Sequence, residues 1–388
     1  MSPGTTAEPT QARLREAADW SRRWLFDAAL PLWWEDGADH AGGGFHEKLD
    51  LHGRPVGLPT RVRVQSRQVY VYAEAGRLGW GGPWREAMHH ALSFMLREYP
   101  RGDGLFRSNR GGGEADLDIY DQAFVLFALA HAYDMEGRPP ELLAAARALL
   151  ARMDSLLAHP LGGYEEARPR RLPLRSNPHM HLLEALLAWV ELGVDAPFRE
   201  RAAQVLELGR RYMIDPASGA VGEFFDGDWR FAAGAEGGLR EPGHQFEWAF
   251  LLDLSRRLLG ADCEEQGLAL MAFGLRHGIH AGRGVTLAGL DAAGTVTDGR
   301  ARLWAQTERL RASLVLAEAP GADAPVLHQD ALAAFATLQH FLSTPRPGLW
   351  WEWMDAQGEF VRDPSPATSL YHVATAMSEL CRRYPPCP

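Results

Sequence analysis

The chain has 388 residues, 46% of them hydrophobic and 23% charged, ordinary usage for a globular protein. Its formal net charge is −10 and its 40 lysines and arginines are spread along the chain, which argues against the basic face that nucleic acid or an anionic membrane needs. Three cysteines without a Cys-x-x-Cys, an N-terminus with no apolar stretch and no apolar run near ~20 residues argue against a disulfide framework, a secretory signal and a membrane span; the expectation is a cytoplasmic protein.

Residues 1–9 read as a flexible N-terminus, and 10–384 as a single catalytic domain. An amphipathic helix is expected over 10–30. Segments of 3.6-residue periodicity then come in pairs: 66–79 and 83–99, 119–136 and 139–158, 179–193 and 197–213. The pairs continue at 244–259 and 262–278, and at 300–317 and 324–342, with a last helix at 368–384. Ser66 and Ser369 are read as possible N-caps. Between the pairs lie glycine- and aromatic-rich segments such as "GGGFHEKLDLHGRPV", "GAVGEFFDGDWRFAAG" and "GLWWEWMDAQGEFVRDPSP". Their markers Gly42, Gly102, Gly162, Gly219, Gly282 and Gly348 are 57 to 66 residues apart. Short alternating runs around Gly or Asp-Gly turns predict hairpins inside these loops. Twelve helices in six pairs, with no strands left for a central sheet, predict an all-α (α/α)6 barrel with short β-hairpins at the mouth. A stacked solenoid is the rival, but its repeats are shorter than about 50 residues and lack long loops on one side.

In that layout each loop feeds an inner helix, so six first turns converge on one mouth. They carry Arg67 and Gln68, Tyr120 and Asp121, the run His179 to Glu184, His244 and Glu247, the run Trp304 to Glu308, and Tyr371 with His372. Loop aromatics Phe106, Phe224, Trp229, Trp350, Trp351 and Trp353 are expected to wall the cavity, a composition that suits small polar ligands such as sugars. "HMHLLEA" and "HQFEWAF" each set a histidine and a glutamate three apart, His181 with Glu184 and His244 with Glu247, on one helical face. A carboxylate accepting one ring N–H fixes the tautomer and raises the basicity of the other nitrogen. The alternatives are structural histidines, or a divalent metal held by two histidines and several carboxylates. The His-x-x-Glu order is the reverse of the di-iron pattern, and no cofactor or metal is assigned. Asp121 and Glu308 are either cavity carboxylates or supports for neighbouring side chains. No phosphate-cradling Gly-rich loop and no Gly-x-Ser-x-Gly elbow is present.

"VQSRQVYVYA", "NPHMHLLEALLAW", "GHQFEWAFLL", "RLWAQTERLRA" and "SLYHVATA" occur in an order that resembles the N-acylglucosamine 2-epimerase superfamily, from about Gly42 to Met377. "GHQFEWA" and "WAQTE" look more like its mannose (aldose–ketose) isomerase branch. The resemblance implies (α/α)6 barrels that epimerise or isomerise sugars at C2. It implies that His244 and His372 are the acid/base pair, that His181 lies with them, that Glu247 orients His244 and that Arg67 approaches the C1–C2 oxygens. Trp304 then packs on the sugar and Asn177 and Gln306 hydrogen-bond its hydroxyls; the first-turn layout adds Tyr120, Glu184 and Glu308 to the substrate-facing set. "SPATSLY" before His372 lacks the tryptophan that disaccharide epimerases use there, which favours a monosaccharide. The expected reaction is interconversion of D-mannose, or D-lyxose, with its ketose through a cis-enediolate, by a monomer or homodimer. The alternatives are a 2-epimerase, a glycoside hydrolase on the same fold, which needs two carboxylates flanking the bond, and a non-catalytic sugar binder.

Overall fold

The computed structural model describes residues 7–113, 115–194 and 196–386. Ala7–Arg23 forms α1 and continues through a π-helical turn, Trp24–Ala29, into α2 (Leu30–Glu35). The N-terminal helix thus starts three residues before position 10; residues 1–6 of the expected flexible terminus lie outside the described residues. There follow α3 (Val62–Arg77), α4 (Trp84–Glu98), α5 (Ile119–Met135), α6 (Pro140–Leu157), α7 (Ser176–Glu191) and α8 (Phe198–Leu208). After a four-residue α9 (Ala235–Gly238) come α10 (Pro242–Leu259), α11 (Glu264–His277), α12 (Leu303–Leu316), α13 (Ala324–Phe341) and α14 (Ala367–Arg383). No described helix is long and apolar enough to cross a membrane.

Which helices lie inside follows from how many sides are apolar. α5 buries almost every residue from Ile119 to Tyr133, whereas α6 buries only the stripe Leu142, Ala146, Leu149, Leu150, Met153 and Leu157. A helix apolar all round needs neighbours on every side; one with a single stripe lies against the core and faces water. Accordingly α3, α5, α7, α10, α12 and α14 pack each against the next, and α14 returns to α3; α4, α6, α8, α11, α13 and α1 form the outer layer. This is the expected (α/α)6 barrel.

The strands do more than the expected loop hairpins. They are β1 (Lys48–Leu49), β2 (Leu174–Arg175), β3 (Phe224–Phe225), β4 (Leu287–Leu290), β5 (Val296–Arg302), β6 (Trp353–Met354) and β7 (Ser365–Pro366). Among the named strands only β4–β5 is a hairpin within one loop, while β1–β7, β2–β3 and β5–β6 join neighbouring loops, all antiparallel. Single antiparallel bridges such as Ala38–Phe45, Pro100–Phe106, Ala158–Tyr164 and Ile214–Val221 fold the other loops back on themselves as the expected small hairpins. The loops therefore form a stitched collar.

The same stitching caps the inner helices, and it corrects the expected serine caps. The first amide of α3, Val62 N–H, donates to Ser108 O in the next loop at 2.9 Å, and those of α5, α7 and α12 donate to Glu166 O, Glu223 O and Glu352 O. Ala367 N–H of α14 donates to Glu47 O of the first loop at 2.9 Å, which closes the circle. At the sixth position α10 begins with Pro242, which has no N–H to cap. Ser66 and Ser369 lie inside their helices, bonded to Val62 O and Glu352 Oε2. Four residues into the helices, buried glutamines clamp the preceding loop through both amide atoms. Gln65 Oε1 accepts from Phe45 N at 2.8 Å and its Nε2 donates to Phe45 O at 2.9 Å. Gln122 holds Phe106, Gln245 holds Val221 and Gln306 holds Thr286 in the same way. His179 takes that place in α7, accepting from Tyr164 N. Gly44 makes room for the clamp: its φ is +74°, and a Cβ there would lie 2.4 Å from Phe94 and 2.7 Å from Gln65 Oε1.

Replacing Gln65 with Leu strips both buried Phe45 backbone groups of their partners and is expected to destabilise the fold by roughly 2–4 kcal/mol. Chemical and thermal unfolding measure this; a loss below about 0.5 kcal/mol would show the clamp to be dispensable.

Candidate functional site

Counting from the capped residue as position 1, the inner helices open "VRVQSR", "IYDQAF", "SNPHMH", "PGHQFE", "LWAQTE" and "ATSLYH". Positions 2 and 6, one turn apart on one face, hold Arg63 and Arg67, Tyr120 and Phe124, Asn177 and His181, Gly243 and Glu247, Trp304 and Glu308, and Thr368 and His372. A cavity of about 160 Å³ is lined by Arg67, Tyr120, Asn177, His181, Glu241, His244, Glu247, Arg302, Trp304, Thr368, Ser369 and His372. It is smaller than the ~300 Å³ at the lower end of drug-sized pockets, so it takes a small molecule. It opens into a vestibule of about 490 Å³ that shares Arg67, Tyr120, Asn177, Arg302 and Thr368.

Trp304 lies between two histidines, its ring centroid 4.9 Å from His244 and 5.8 Å from His372. Glycine at 243 leaves room for it, since a Cβ there would meet the indole at 2.4 Å. Arg67 is held over the rings of Phe124 and Tyr371, at 4.2 and 4.9 Å. It donates to Tyr120 Oη at 2.6 Å and to Thr368 O at 2.9 Å, so its guanidinium faces the cavity with no carboxylate hydrogen-bonded to it.

Each cavity histidine rests on a carboxylate through Nδ1: His244 on Glu223 at 2.8 Å, His372 on Glu308 at 2.7 Å and His181 on Glu184 at 3.2 Å. Such a partner fixes the tautomer and aims Nε2 at the cavity. Their protonation states nevertheless diverge. Burial alone disfavours a charged His244, but Glu223 and then Glu241 outweigh it and hold the imidazolium up to about 10. Burial, followed by the nearby Arg67 guanidinium, pushes His372 well below the usual histidine range. Burial likewise brings His181 down to about 4 against the pull of Glu184. Near neutrality, then, His244 is a cation while His372 and His181 are free bases. An imidazolium donates from both nitrogens, so the Asn177 amide, 3.0 Å from His244 Nε2, is read with its oxygen toward the ring. That orientation also gives the otherwise unpartnered Asn177 Oδ1 an N–H.

Beneath the histidines lie Glu184, Glu247 and Glu308 with Arg311. The Arg311 guanidinium is 3.2 Å from Glu184 and 3.7 Å from Glu308, and Tyr371 Oη donates to Glu184. Burial would raise Glu184, but its bond to His181 and the charge of Arg311 hold it down to about 2. Burial lifts Glu308 to about 7 against Arg311. Glu247 has no hydrogen-bond partner on either oxygen, and burial with the charges of Glu308 and Glu184 raises it far above the carboxylate range, so it is a neutral acid. The triads His181–Glu184–Glu247, Glu223–Glu241–His244 and Glu247–Glu308–His372 bring potential ligand atoms within 4.8 Å of one another. Arg311 supplies positive charge beside the first and third.

Of the expected site residues, the cavity gathers Arg67, Tyr120, Asn177, His181, His244, Glu247, Trp304 and His372; Glu184 and Glu308 sit one layer below. Two expectations are corrected. The carboxylate on His244 is Glu223 of the preceding loop, while Glu247 lies nearer His181, 3.7 Å from its Nδ1. Gln306 does not reach a ligand, because both amide atoms are spent on Thr286 and Arg302 O. Asp121 supports Arg63 at 2.7 Å. The loop aromatics mostly build the collar: Trp350 stacks on Trp33, Trp351 on Phe360, and Trp229 donates to His159, leaving Trp353 on the vestibule wall. Sequence reasoning missed Glu223, Arg311 and Arg302. A signal for Glu223 exists, since glutamate recurs two residues after the clamped loop residue at Glu47, Glu166 and Glu223.

With His244 held up to about 10, its ring stays protonated below that pH. In a 15N-histidine NMR titration it is expected to show imidazolium shifts at pH 8 while His372 shows neutral ones. Glu223→Gln should turn His244 neutral at that pH, whereas a neutral His244 in the intact protein contradicts the assignment.

Residues 43–376 match the family model described as N-acylglucosamine 2-epimerase (GlcNAc 2-epimerase). A mannose-6-phosphate isomerase of Rhizobium meliloti is 41% identical over 366 residues, 92% of this chain and 95% of that protein. A D-mannose isomerase of Thermobifida fusca is 31% identical over 237 residues, 55% of this chain and 57% of that one. The structure of a cellobiose 2-epimerase from Spirochaeta thermophila superposes with a TM-score of 0.84 at 22% identity, covering 98% of each chain, a likeness of fold. With the match running from the first loop into the sixth inner helix, the chain belongs to the N-acylglucosamine 2-epimerase family.

Proposed function

We propose that the protein is an aldose–ketose isomerase that interconverts D-mannose-configured hexoses with the corresponding D-fructose form through a cis-enediolate. The observation that carries this reading is the pair of histidines held in opposite protonation states on either side of Trp304. Groups whose environments push their pKa values apart are assigned as acid and base. The relatives named as mannose and mannose-6-phosphate isomerases support the configuration at C2.

In the open-chain aldose the C2 proton is only weakly acidic. His372, neutral and with its Nδ1–H donated to Glu308, takes that proton on Nε2. The electron pair forms the C1–C2 double bond and charge develops on O1, where the Arg67 guanidinium stabilises it. His244 gives its proton to O1 and recovers one from O2, while His372 returns its proton to C1. Hydrogen thereby moves from C2 to C1 and from O2 to O1, and the ketose forms with both histidines restored. The same imidazolium can assist ring opening by donating to the ring oxygen, with Asn177 fixing its direction. Its cationic state also favours one second reading: a proton delivered to C2 from the face opposite His372 gives 2-epimerisation.

His372→Asn or His244→Asn should lower kcat by about 10²–10⁴ with folding intact; near-wild-type turnover in either variant removes that residue from the mechanism. The pH dependence follows from the two supports. Below about 7 Glu308 takes up a proton and becomes a donor to His372 Nδ1, which places the ring proton on Nε2 and removes the base. Above about 10 His244 loses its proton. The rate should rise with pH through about 7 and fall through about 10; a profile flat from pH 5 to 8 contradicts the role of Glu308.

A further inference from the structure

The reacting end of the sugar is committed to the small cavity, so the far end of a hexose must point out through the shared rim into the vestibule. That vestibule is unlike the rest of the molecule. In a chain of net charge −10, its wall carries Lys48, Arg61, Arg63, Arg67, Arg175 and Arg302 against only two carboxylates, Glu352 and Asp363.

Four of the arginines are fixed from behind. Arg61 is bonded to Glu47, Arg63 to Asp121, Arg175 to Glu166 and Asp118, and Arg302 to Glu352. Those four arginine side chains remain 22 to 39% exposed, whereas Glu47, Asp121, Glu166 and Glu352 are at most 6% exposed. Each carboxylate therefore grips one edge of a guanidinium and leaves the other N–H edge toward the vestibule. Two cations have no carboxylate in hydrogen-bonded contact among the described residues: Arg67, bonded to Tyr120 and Thr368, and Lys48. The position of Lys48 is set by backbone pairing with Pro366 in the β1–β7 stitch. The amino-terminal ends of the inner helices also meet at this mouth and add positive potential. A neutral hydroxymethyl group uses none of this charge; planar guanidinium edges beside a point-charged ammonium are the donor set that recognises phosphate oxygens.

We propose that the vestibule is an anion subsite that binds a phosphate monoester on C6 of the hexose, so that the sugar phosphate is the preferred substrate. Lys48 and the free edges of Arg61 and Arg302 are its donors. The inference rests on the isomerase reading for which end of the sugar enters first. Field focusing in the basic mouth should also speed capture of the anionic sugar at low ionic strength.

The test separates the two. D-mannitol 6-phosphate and D-mannitol have no carbonyl and cannot turn over, so calorimetric titration of the intact protein measures binding alone. The phosphate should bind at least about tenfold more tightly. That advantage should shrink between 50 and 300 mM salt as screening increases. It should fall about tenfold further in Lys48→Met and be retained in Lys48→Arg. Kinetically, kcat/KM for D-mannose 6-phosphate should exceed that for D-mannose. Equal affinity for the two polyols, or a mannose preference in kcat/KM, overturns the anion subsite and leaves the isomerase reading standing. Tight phosphate-dependent binding without conversion of either sugar supports the subsite and overturns the isomerase reading.

Discussion

The structure depends on a circular chain of backbone hydrogen bonds. Each inner helix except α10 surrenders its first amide to the carbonyl of the next loop, and the last of them to the first loop, Ala367 N to Glu47 O. A helix start left uncapped in a buried barrel mouth would strand polar groups. Here the caps come mainly from the collar, and α5 alone among the inner helices adds a side-chain cap, Asp118 accepting from Tyr120 N. The glutamines at position 4 of α3, α5, α10 and α12, with His179 in α7, then bind loop to helix, so the two cannot shift independently. Most of the site hangs from that frame: positions 2 and 6 point inward where positions 1 and 4 are tied outward, and His244 enters from position 3 of α10.

The frame sets up an electrostatic division within a few ångströms. Arg311 holds the floor together by serving Glu184 and Glu308 at once, and its ring contact with Phe250 at 3.6 Å leaves it little freedom to move. Glu247, with nothing to pair with, stays neutral among them. The three histidines have the same kind of carboxylate support yet differ in charge. The difference lies in what else surrounds each ring: Glu223 and Glu241 beside His244, the cationic Arg67 beside His372, and burial in all three. An acid and a base of the same residue type thus arise from their environments.

The barrel was legible because period and spacing are local properties. Helical stripes such as Leu142 to Leu157 and the recurrence of glycine-marked loops survive in the chain itself. The convergence of Arg67, Tyr120, His181, His244, Trp304 and His372 followed from the layout and from a family resemblance. What failed was reasoning that read neighbours along a helix as neighbours in space. Glu247, three residues from His244, was expected to orient it, but the ring is reached instead by Glu223 from the loop 21 residues upstream. The family resemblance assigns Gln306 to a sugar hydroxyl, whereas its place at position 4 of α12 makes it a clamp. Arg311 left no trace in the first turns because it acts two turns deeper, through contacts between α12 and α7.

The central claim is proton transfer by His372 between C2 and C1, with no proton returned to C2 on the other face. Proton NMR of D-mannose, and of its 6-phosphate, incubated with EDTA-treated protein in D2O follows that proton directly. The fructose form is expected as first product, with deuterium entering at C1. The glucose form appearing first, with deuterium at C2, would contradict it and place the protein among the 2-epimerases.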